Sequence, residues 1–396
     1  MPKLKKRADG RYSRQVYLGL GEDGRRQYKT VYGSNPKEAD EKALELRLQL
    51  KKGIDLSARN DKFSDWSAAW LSEKKANVSA VYYIGLAGKV SVLDNALGEY
   101  PISKILPADI QALINQYAEF NPNTKRPTAK KTLRDLKGVA EQIFRLAIEN
   151  RVMDYNPAQY VRIPTKAPEE KRRALTSEEQ QWIVDTPHRA QRMAMIMMYA
   201  GLRRGEVIPL QWKDIDLENG TISVTKSVEM IHGKAHQKDG GKTGNSQRVI
   251  DIPNRLITFL RGEREGAGPL ELVCPAANGG MMSETAFRRM WESYLTDLNF
   301  KYGNRIDNAG NVAKSKCNPN GIPRTIPPIT AHWLRHTFAT MLYLSGVDVL
   351  TARDQLGHSD IKTTLDIYTH LDRLYKRRSM SKLNEYLDTE NRKASI

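Results

Sequence analysis

The sequence predicts a multidomain, mainly α-helical chain with small β-sheets. An N-terminal sheet packs on one helix, a helical domain follows, and a mixed α+β domain runs to the end. Three observations carry this reading. Polar and apolar residues alternate over residues 11–33, apolar residues recur at three- and four-residue spacing over 61–165, and beyond a proline-bearing stretch both patterns interleave. The chain has 396 residues, enough for two or three ordinary domains, and its 40% hydrophobic content suffices for their cores.

In chain order, GRYSRQVYLGLG and RRQYKTVYG read as a β-hairpin with Gly21-Glu22-Asp23-Gly24 as turn material. Ser34-Asn35-Pro36 starts a helix that places Ala39, Ala43, Leu46 and Leu50 on one face before Gly53. The sheet is expected to display Arg11, Arg14, Arg25, Arg26 and Lys29 beside Tyr12, Tyr17 and Tyr28. A basic, aromatic face of this kind suits duplex DNA, and an ordinary solvated sheet face fits the same letters. This segment is taken as a first domain, residues 1–58.

A second domain, 61–163, should hold four helices: FSDWSAAWLSEKK, the stretch around VYYIGLAGKVSVL, PADIQALINQYAEF and TLRDLKGVAEQIFRLAIENRV. The last has a clear apolar stripe of Leu133, Leu136, Ala140, Ile143, Phe144 and Ala147. Asn156-Pro157 ends it, and IPTKAPEEKRRALTSEEQQ reads as a linker whose Thr176 and Glu179 form a capping box. The third domain, 175–396, has helices around 177–185 and 190–200. GTISVTKSVEM should pair with SQRVIDIP, and further helices complete it.

The charge is uneven. Lys and Arg number 63 against 46 Asp and Glu, a net +17, and residues 1–60 alone hold 15 basic and 8 acidic side chains. Such a field concentrates polyanions, so nucleic acid or an anionic membrane surface is the expected partner. The longest strongly apolar run, Met193 to Leu202, is far short of the ~20 residues that span a bilayer. No apolar segment follows the basic N-terminus, so no secretory signal is visible. Cys274 and Cys317 stand far apart with no CxxC, which supports neither a disulfide framework nor a cysteine-based zinc site and points to a cytoplasmic protein.

Five short motifs carry chemistry in the third domain. They are Gly201-Leu202-Arg203-Arg204-Gly205-Glu206, Lys242-Thr243-Gly244, His332-Trp333-Leu334-Arg335-His336, Leu356-Gly357-His358 and Ile367-Tyr368-Thr369-His370. Taken singly each has a bland alternative: a surface arginine, a solvated lysine, a histidine satisfied by backbone, a tyrosine at a helix rim. His332 and His336 also match the spacing of a zinc helix, but Trp333 stands where that motif needs its glutamate.

In this order the motifs resemble the tyrosine recombinase family, the phage and integrative-element integrases, over roughly residues 175–396. The resemblance implies an arm-type DNA-binding domain at 1–58, a core-binding domain at 61–163 and a catalytic domain at 175–396. It implies a site-specific recombinase that integrates and excises a prophage or integrative conjugative element through a 3′-phosphotyrosyl intermediate and a Holliday junction. Tyr368 would be the nucleophile, Arg203 and Arg335 the phosphate clamps, His332 the base and His358 a second phosphate contact. Lys242 would be the general acid, with Lys238 its nearest competitor, and Glu206 a supporting residue that orients side chains.

The residue types suit these roles. Guanidiniums stay charged at physiological pH and offer forked donors to phosphate oxygens. A phenol with a reference pKa near ~10 needs such cations or a base before it attacks. No metal and no other cofactor is expected, since there is no carboxylate cluster for Mg²⁺, and no GxxxxGK[ST] nucleotide loop is present. The implied partners are double-stranded DNA at core and arm sites and a homo-tetramer on that DNA, with a directionality factor and a host DNA-bending protein as further candidates and no membrane.

Three rivals are weighed. An Xer-type resolvase lacks the basic N-terminal segment, a type IB topoisomerase relaxes one duplex without exchange, and a DNA-binding regulator would not need the full chemical set. Two departures stand out. Trp333 replaces a more polar residue, and residues 301–328, rich in Asn, Gly, Lys and Pro, are either a functional insertion or a flexible hairpin, DNA-facing or merely solvated. Past Tyr368, Leu371, Leu374, Met380, Leu383 and Leu387 line one face of a terminal helix that docks on a neighbouring protomer or on its own domain.

Overall fold

The computed structural model describes residues 5–20, 25–51, 60–169, 173–239 and 247–369. The chain divides into two compact units, 1–170 and 171–396.

Strands β1 (Tyr12–Leu20) and β2 (Arg26–Gly33) form the N-terminal hairpin, antiparallel with Tyr17 opposite Tyr28 and Arg14 opposite Val31. Helix α1 (Pro36–Lys51) follows. Its entry is a reciprocal cap: Glu38 N–H donates to Asn35 Oδ1 at 2.9 Å, and the Glu38 carboxylate accepts from Ser34 N–H at 2.7 Å. Gly33 is required at the corner, because a Cβ there would lie 2.5 Å from the Ala39 backbone nitrogen. Val16, Ala43 and Leu46 make the small core.

Residues directly opposite in an antiparallel pair share a face. The register therefore assigns Arg14, Val16, Val31 and Lys29 to the helix side, and Ser13, Gln15, Tyr17, Tyr28, Thr30 and Tyr32 to the other. This corrects the expectation for Arg14. Its Nε donates to Asp40 of α1 at 2.5 Å, so it fastens the sheet to the helix and is not displayed.

Helices α2 (Phe63–Asn77), α3 (Ala80–Leu97), α4 (Pro107–Glu119) and α5 (Lys130–Glu149) enclose a second core. The predicted stripe of α5 is wholly buried, and Phe144 meets Phe63 with ring centroids 5.5 Å apart. The stretch read as a linker begins later than expected. Gln111 and Arg162 exchange bonds of 2.8 and 2.9 Å, and Lys130 N–H donates to Pro168 O at 2.8 Å, so the chain lies on α4 and α5 as far as Pro168.

In the second unit, α6 (Ser177–Val184) starts at the Thr176–Glu179 capping box. Helix α7 (Gln191–Tyr199) is buried except at Arg192 and leads into α8 (Arg204–Val207). Strands β3 (Ile215–Asp216) and β4 (Thr221–Val224) are followed by β5 (Lys226–Ile231), β6 (Lys234–Asp239) and β7 (Arg248–Asp251). Only the first part of GTISVTKSVEM pairs with SQRVIDIP, with Ile222 opposite Ile250 in the sheet β3-β4-β7. The chain breaks step at Thr225, and β5 pairs with β6 across His232-Gly233, both at positive φ, the geometry of a tight hairpin turn.

Helices α9 (Asn254–Glu263), α10 (Glu284–Tyr302), α11 (Ala331–Leu344), α12 (Val349–Leu356) and α13 (Ile361–Thr369) complete the unit. Tyr294 of α10 donates to Ile183 O at 3.1 Å, and Trp291 Nε1 donates to Ile329 O at 2.9 Å, tying α10 into the core on both sides.

The segment read as an insertion from 301 begins only at Gly303; an antiparallel bridge joins Ile306 to Val312 within it, and its side chains are internally bonded. The Asp307 carboxylate accepts from the backbone of Ala309 and Asn311 and from the side chains of Asn318 and Asn320, which holds its pKa below the usual range. Lys316 pairs with Asp297 at 2.6 Å and Arg324 with Glu292 at 2.5 Å, so both cations are engaged by α10. Among the described residues no helix is long and apolar enough to cross a membrane.

Candidate active site

The site begins where α7 stops. Gly201 takes φ +65°, and a Cβ there would overlap the Phe338 ring of α11, so the turn needs glycine for both conformation and space. The turn delivers Arg203 to the start of α8. Its backbone N–H donates to Glu206 Oε2 at 2.8 Å, its Nη1 to Glu206 Oε1 at 2.9 Å, and its Nη2 to Gly357 O at 2.9 Å. The side chain keeps 45% of its surface exposed.

Arg335, one turn into α11, is 5% exposed. Nη1 donates to Gly201 O and Nη2 to Leu356 O, each at 2.6 Å. Both partners are neutral carbonyls. Burial, then the charge of Arg203, push the guanidinium down to about 9, while Glu206 opposes the shift. It stays protonated at neutral pH, in a place where an incoming anion would be favoured.

His332 lies in the first turn of α11, which Thr330 caps by accepting Trp333 N–H at 3.2 Å. With Arg203, Arg204 and Arg335 it lines a groove of about 650 Å³, to which Phe287, Trp291, Leu295 and Ile329 add apolar surface. His358 follows Gly357, which closes α12 in the left-handed conformation. The ring is buried, with Nδ1 bonded to Thr364 Oγ1 at 2.9 Å. Burial, then Arg335 and Arg203, bring its pKa to about 4, so it is neutral at pH 7.

The turn after α7, the start of α11 and the end of α12 thus bring Arg203, Arg335 and His358 into one bonded cluster through Gly201, Leu356 and Gly357. Glu206 is buried beneath it, and although burial alone would raise its pKa, Arg248 and Arg203 hold it at about 2. The backbone of Tyr368 belongs to the last turn of α13, and its side chain lies outside the described residues, as does Lys242 entirely. Lys238 sits opposite Ser227 in the β5-β6 pair, its side chain likewise outside them, and so are residues 370–396 with the expected terminal helix. Among the described residues no three His, Cys, Asp or Glu side chains stand together as metal ligands do.

Two participants were not singled out from the sequence. Arg248, at the start of β7, donates Nη1 and Nη2 to the two oxygens of Glu206 at 3.1 and 3.0 Å. Nothing in its local polar run sets it apart. Arg173 stacks over Trp333 at 5.0 Å and forks onto Glu179 with two bonds of 2.6 Å. The tryptophan beside His332 is therefore a packing platform for the chain entering this unit, reinforced by Leu175 N–H donating to Thr337 Oγ1 at 2.9 Å.

On the N-terminal sheet, Tyr17 and Tyr28 meet at 5.5 Å on the open face, and Arg26 shares that face by register. Arg11 joins it by stacking over Tyr32 at 4.8 Å while pairing with Asp9 at 3.0 Å. Arg25 precedes β2, and Lys29, opposite Val16 on the helix-side face, is exposed.

A family model described as the phage integrase family matches residues 173–374. A tyrosine recombinase XerC-like protein of Caldanaerobacter subterraneus subsp. tengcongensis is 27% identical, covering 94% of this chain and 96% of its own length. The ICEBs1 integrase of Bacillus subtilis is 25% identical over 97% of this chain and all of its own. Among solved structures, a fragment of the Tn1549 transposon integrase in complex with transposon right end DNA is similar with TM-score 0.63 and 20% identity. That match covers 82% of this chain and 99% of the fragment.

Proposed function

The chain belongs to the phage integrase family of tyrosine recombinases, enzymes of DNA strand cleavage and rejoining, and on that premise we propose that it integrates and excises a mobile element by way of a 3′-phosphotyrosyl intermediate and a Holliday junction. The observation that carries this reading is the placement of Arg335. It is a buried guanidinium held by two neutral carbonyls, one turn from His332 and in one bonded cluster with Arg203. A scissile phosphate bound there would receive forked donors from both arginines. As the fifth bond to phosphorus forms, charge grows on the non-bridging oxygens, where fixed cations in a dry site act most strongly.

In this mechanism the Tyr368 oxygen attacks phosphorus and His332 takes the phenolic proton. The bond to the 5′ oxygen breaks, and Lys242 donates the proton that the leaving oxygen requires. Neutral His358, its Nδ1 engaged by Thr364, contributes a contact to the phosphate through its other ring nitrogen. The 3′-phosphotyrosyl bond conserves the energy of the phosphodiester, so a 5′ hydroxyl from the partner duplex can reverse the step and complete strand exchange. Glu206 orients Arg203.

Residues 1–58 are proposed to bind arm-type DNA sites and 61–163 to share core-site binding with the 175–396 catalytic domain. A homo-tetramer would assemble on the paired sites, aided by a directionality factor and a host DNA-bending protein. The full-length match to the ICEBs1 integrase favours an integrative conjugative element as the cargo, with a prophage as the other source.

A nicked suicide substrate carrying the attachment site tests the chemistry. The wild-type chain should form an SDS-stable, protease-sensitive adduct, and Tyr368→Phe should abolish it while core-site binding persists. An adduct formed by the Phe variant would overturn the nucleophile assignment.

A further inference from the structure

Glu206 is one buried carboxylate serving two guanidiniums. Its Oε1 accepts from Arg203 Nη1 at 2.9 Å and Arg248 Nη1 at 3.1 Å, and its Oε2 from Arg203 N–H at 2.8 Å and Arg248 Nη2 at 3.0 Å. A carboxylate has about four lone-pair sites, and all are used. Arg248 is itself nearly enclosed, with 9% of its side chain exposed. Its Nε donates to Gln355 O at 3.3 Å, and its guanidinium carbon lies 2.7 Å from where a Cβ on Gly357 would stand. It is spent on internal partners and is not placed to meet a phosphate.

These contacts fall on the segments that carry the proposed machinery. Glu206 holds Arg203, Gln355 and Gly357 lead into His358, and Arg248 opens β7, six residues after Lys242 in sequence. If Arg248 were absent, two acceptor sites on Glu206 would open beside Arg203. The carboxylate could then close on that guanidinium as a fork, the strongest geometry for such a pair, and draw it away from an incoming phosphate.

We propose that Arg248 is a positioning residue: it occupies half of the Glu206 carboxylate so that Arg203 is oriented without being neutralised, and it fastens the start of β7 to the end of α12. The proposal rests on the phosphotyrosyl reading above, in which Arg203 clamps the scissile phosphate.

A double-mutant cycle on the full-length chain decides it, read as the rate of adduct formation on the nicked suicide substrate together with core-site affinity by gel shift. Arg248→Met should slow adduct formation by ~10-fold or more with affinity within about threefold, because binding draws on many other phosphate contacts. Adding Glu206→Gln removes the charge that would capture Arg203, so the double variant should form adduct several-fold faster than Arg248→Met alone. Arg248→Lys keeps the charge without the fork and should fall between wild type and Met.

Losses that simply multiply in the double variant would overturn the proposal, as would core-site affinity falling in step with cleavage, or a lysine variant equal to wild type. A wild-type chain that formed no adduct would overturn the phosphotyrosyl reading and this one together, whereas a wild-type adduct with multiplying losses overturns this one alone.

Discussion

Arg335 and Arg26 have the same side chain and are assigned to the same polyanion, yet their surroundings differ in every respect that decides what an arginine can do. Arg335 is buried, both donor arms are fixed by carbonyls from distant segments, and its charge is disfavoured where it stands. Arg26 lies exposed on a two-stranded sheet beside Tyr28. The first environment fixes position at a cost in stability, which suits charge that develops at one point in space. The second leaves the cation mobile and hydrated, which suits affinity along a backbone but discriminates little. On the proposed function the excess of +17 has two uses, and they can be separated by experiment.

The largest expected effect is at Arg335. Arg335→Gln removes a forked donor from the reacting phosphate and should lower the adduct-forming rate by ~100-fold or more. It also removes a buried charge held only by carbonyls, so the melting temperature without DNA should hold steady or rise. A fall of several degrees accompanying the lost activity would break the comparison, since Arg335 would then be holding the fold together.

An intermediate effect is expected from His358. Its folded pKa of about 4 lies below the ordinary 6.5, so between those values the unfolded chain binds a proton that the folded chain does not. Stability therefore rises with pH across that window and is lost as pH falls through it, by up to ~1.4 kcal/mol per pH unit for one proton. Denaturant unfolding at pH 7 and pH 4.5 should show this loss, and His358→Gln should reduce it. Glu206, held at about 2 against 4.5, adds a further loss only below pH 4.5. An unchanged acid limb in the Gln variant would mean that the ring charges freely within the fold.

The smallest effect belongs to the hairpin. Arg26→Ala should weaken arm-site affinity only a few-fold and lower the slope of log K against log salt by about 0.9, the contribution of one phosphate contact. Adduct formation on core-site DNA should be unaffected. A change in that rate with no change in salt slope would place Arg26 in the wrong category.

Much of the scaffold could be read from spacing. The α5 stripe and the Thr176–Glu179 cap follow from local rules, since a helical period and a three-residue reciprocal bond are properties of a short window. The ordered motifs likewise named Arg203, His332, Arg335 and His358, and the fold brings three elements together to seat them. What escaped depends on relations between distant segments. The pairing of Arg14 with Asp40 follows from strand parity together with the phase of α1, and neither is visible from the charge of the residue. Strand β6 is polar, so hydrophobic alternation did not mark it as the partner of β5, although His232-Gly233 was a usable turn signal. Arg248 became legible only when Glu206 was seen to have more acceptor sites than Arg203 could fill.

The segment between α10 and α11 is stapled at its base. Its neck is closed by Asn304 N–H donating to Thr325 Oγ1 at 2.7 Å and Thr325 N–H to Asn299 Oδ1 at 2.9 Å, which ties both ends of the lobe to the end of α10. Cys317 is exposed on that lobe, while Cys274 is fully buried with its thiol pushed up to about 12. Thiol-directed reagents react with thiolate, so they should select Cys317 without mutagenesis. The chain thus carries its own attachment point for a fluorophore or spin label, from which assembly on DNA can be watched in real time.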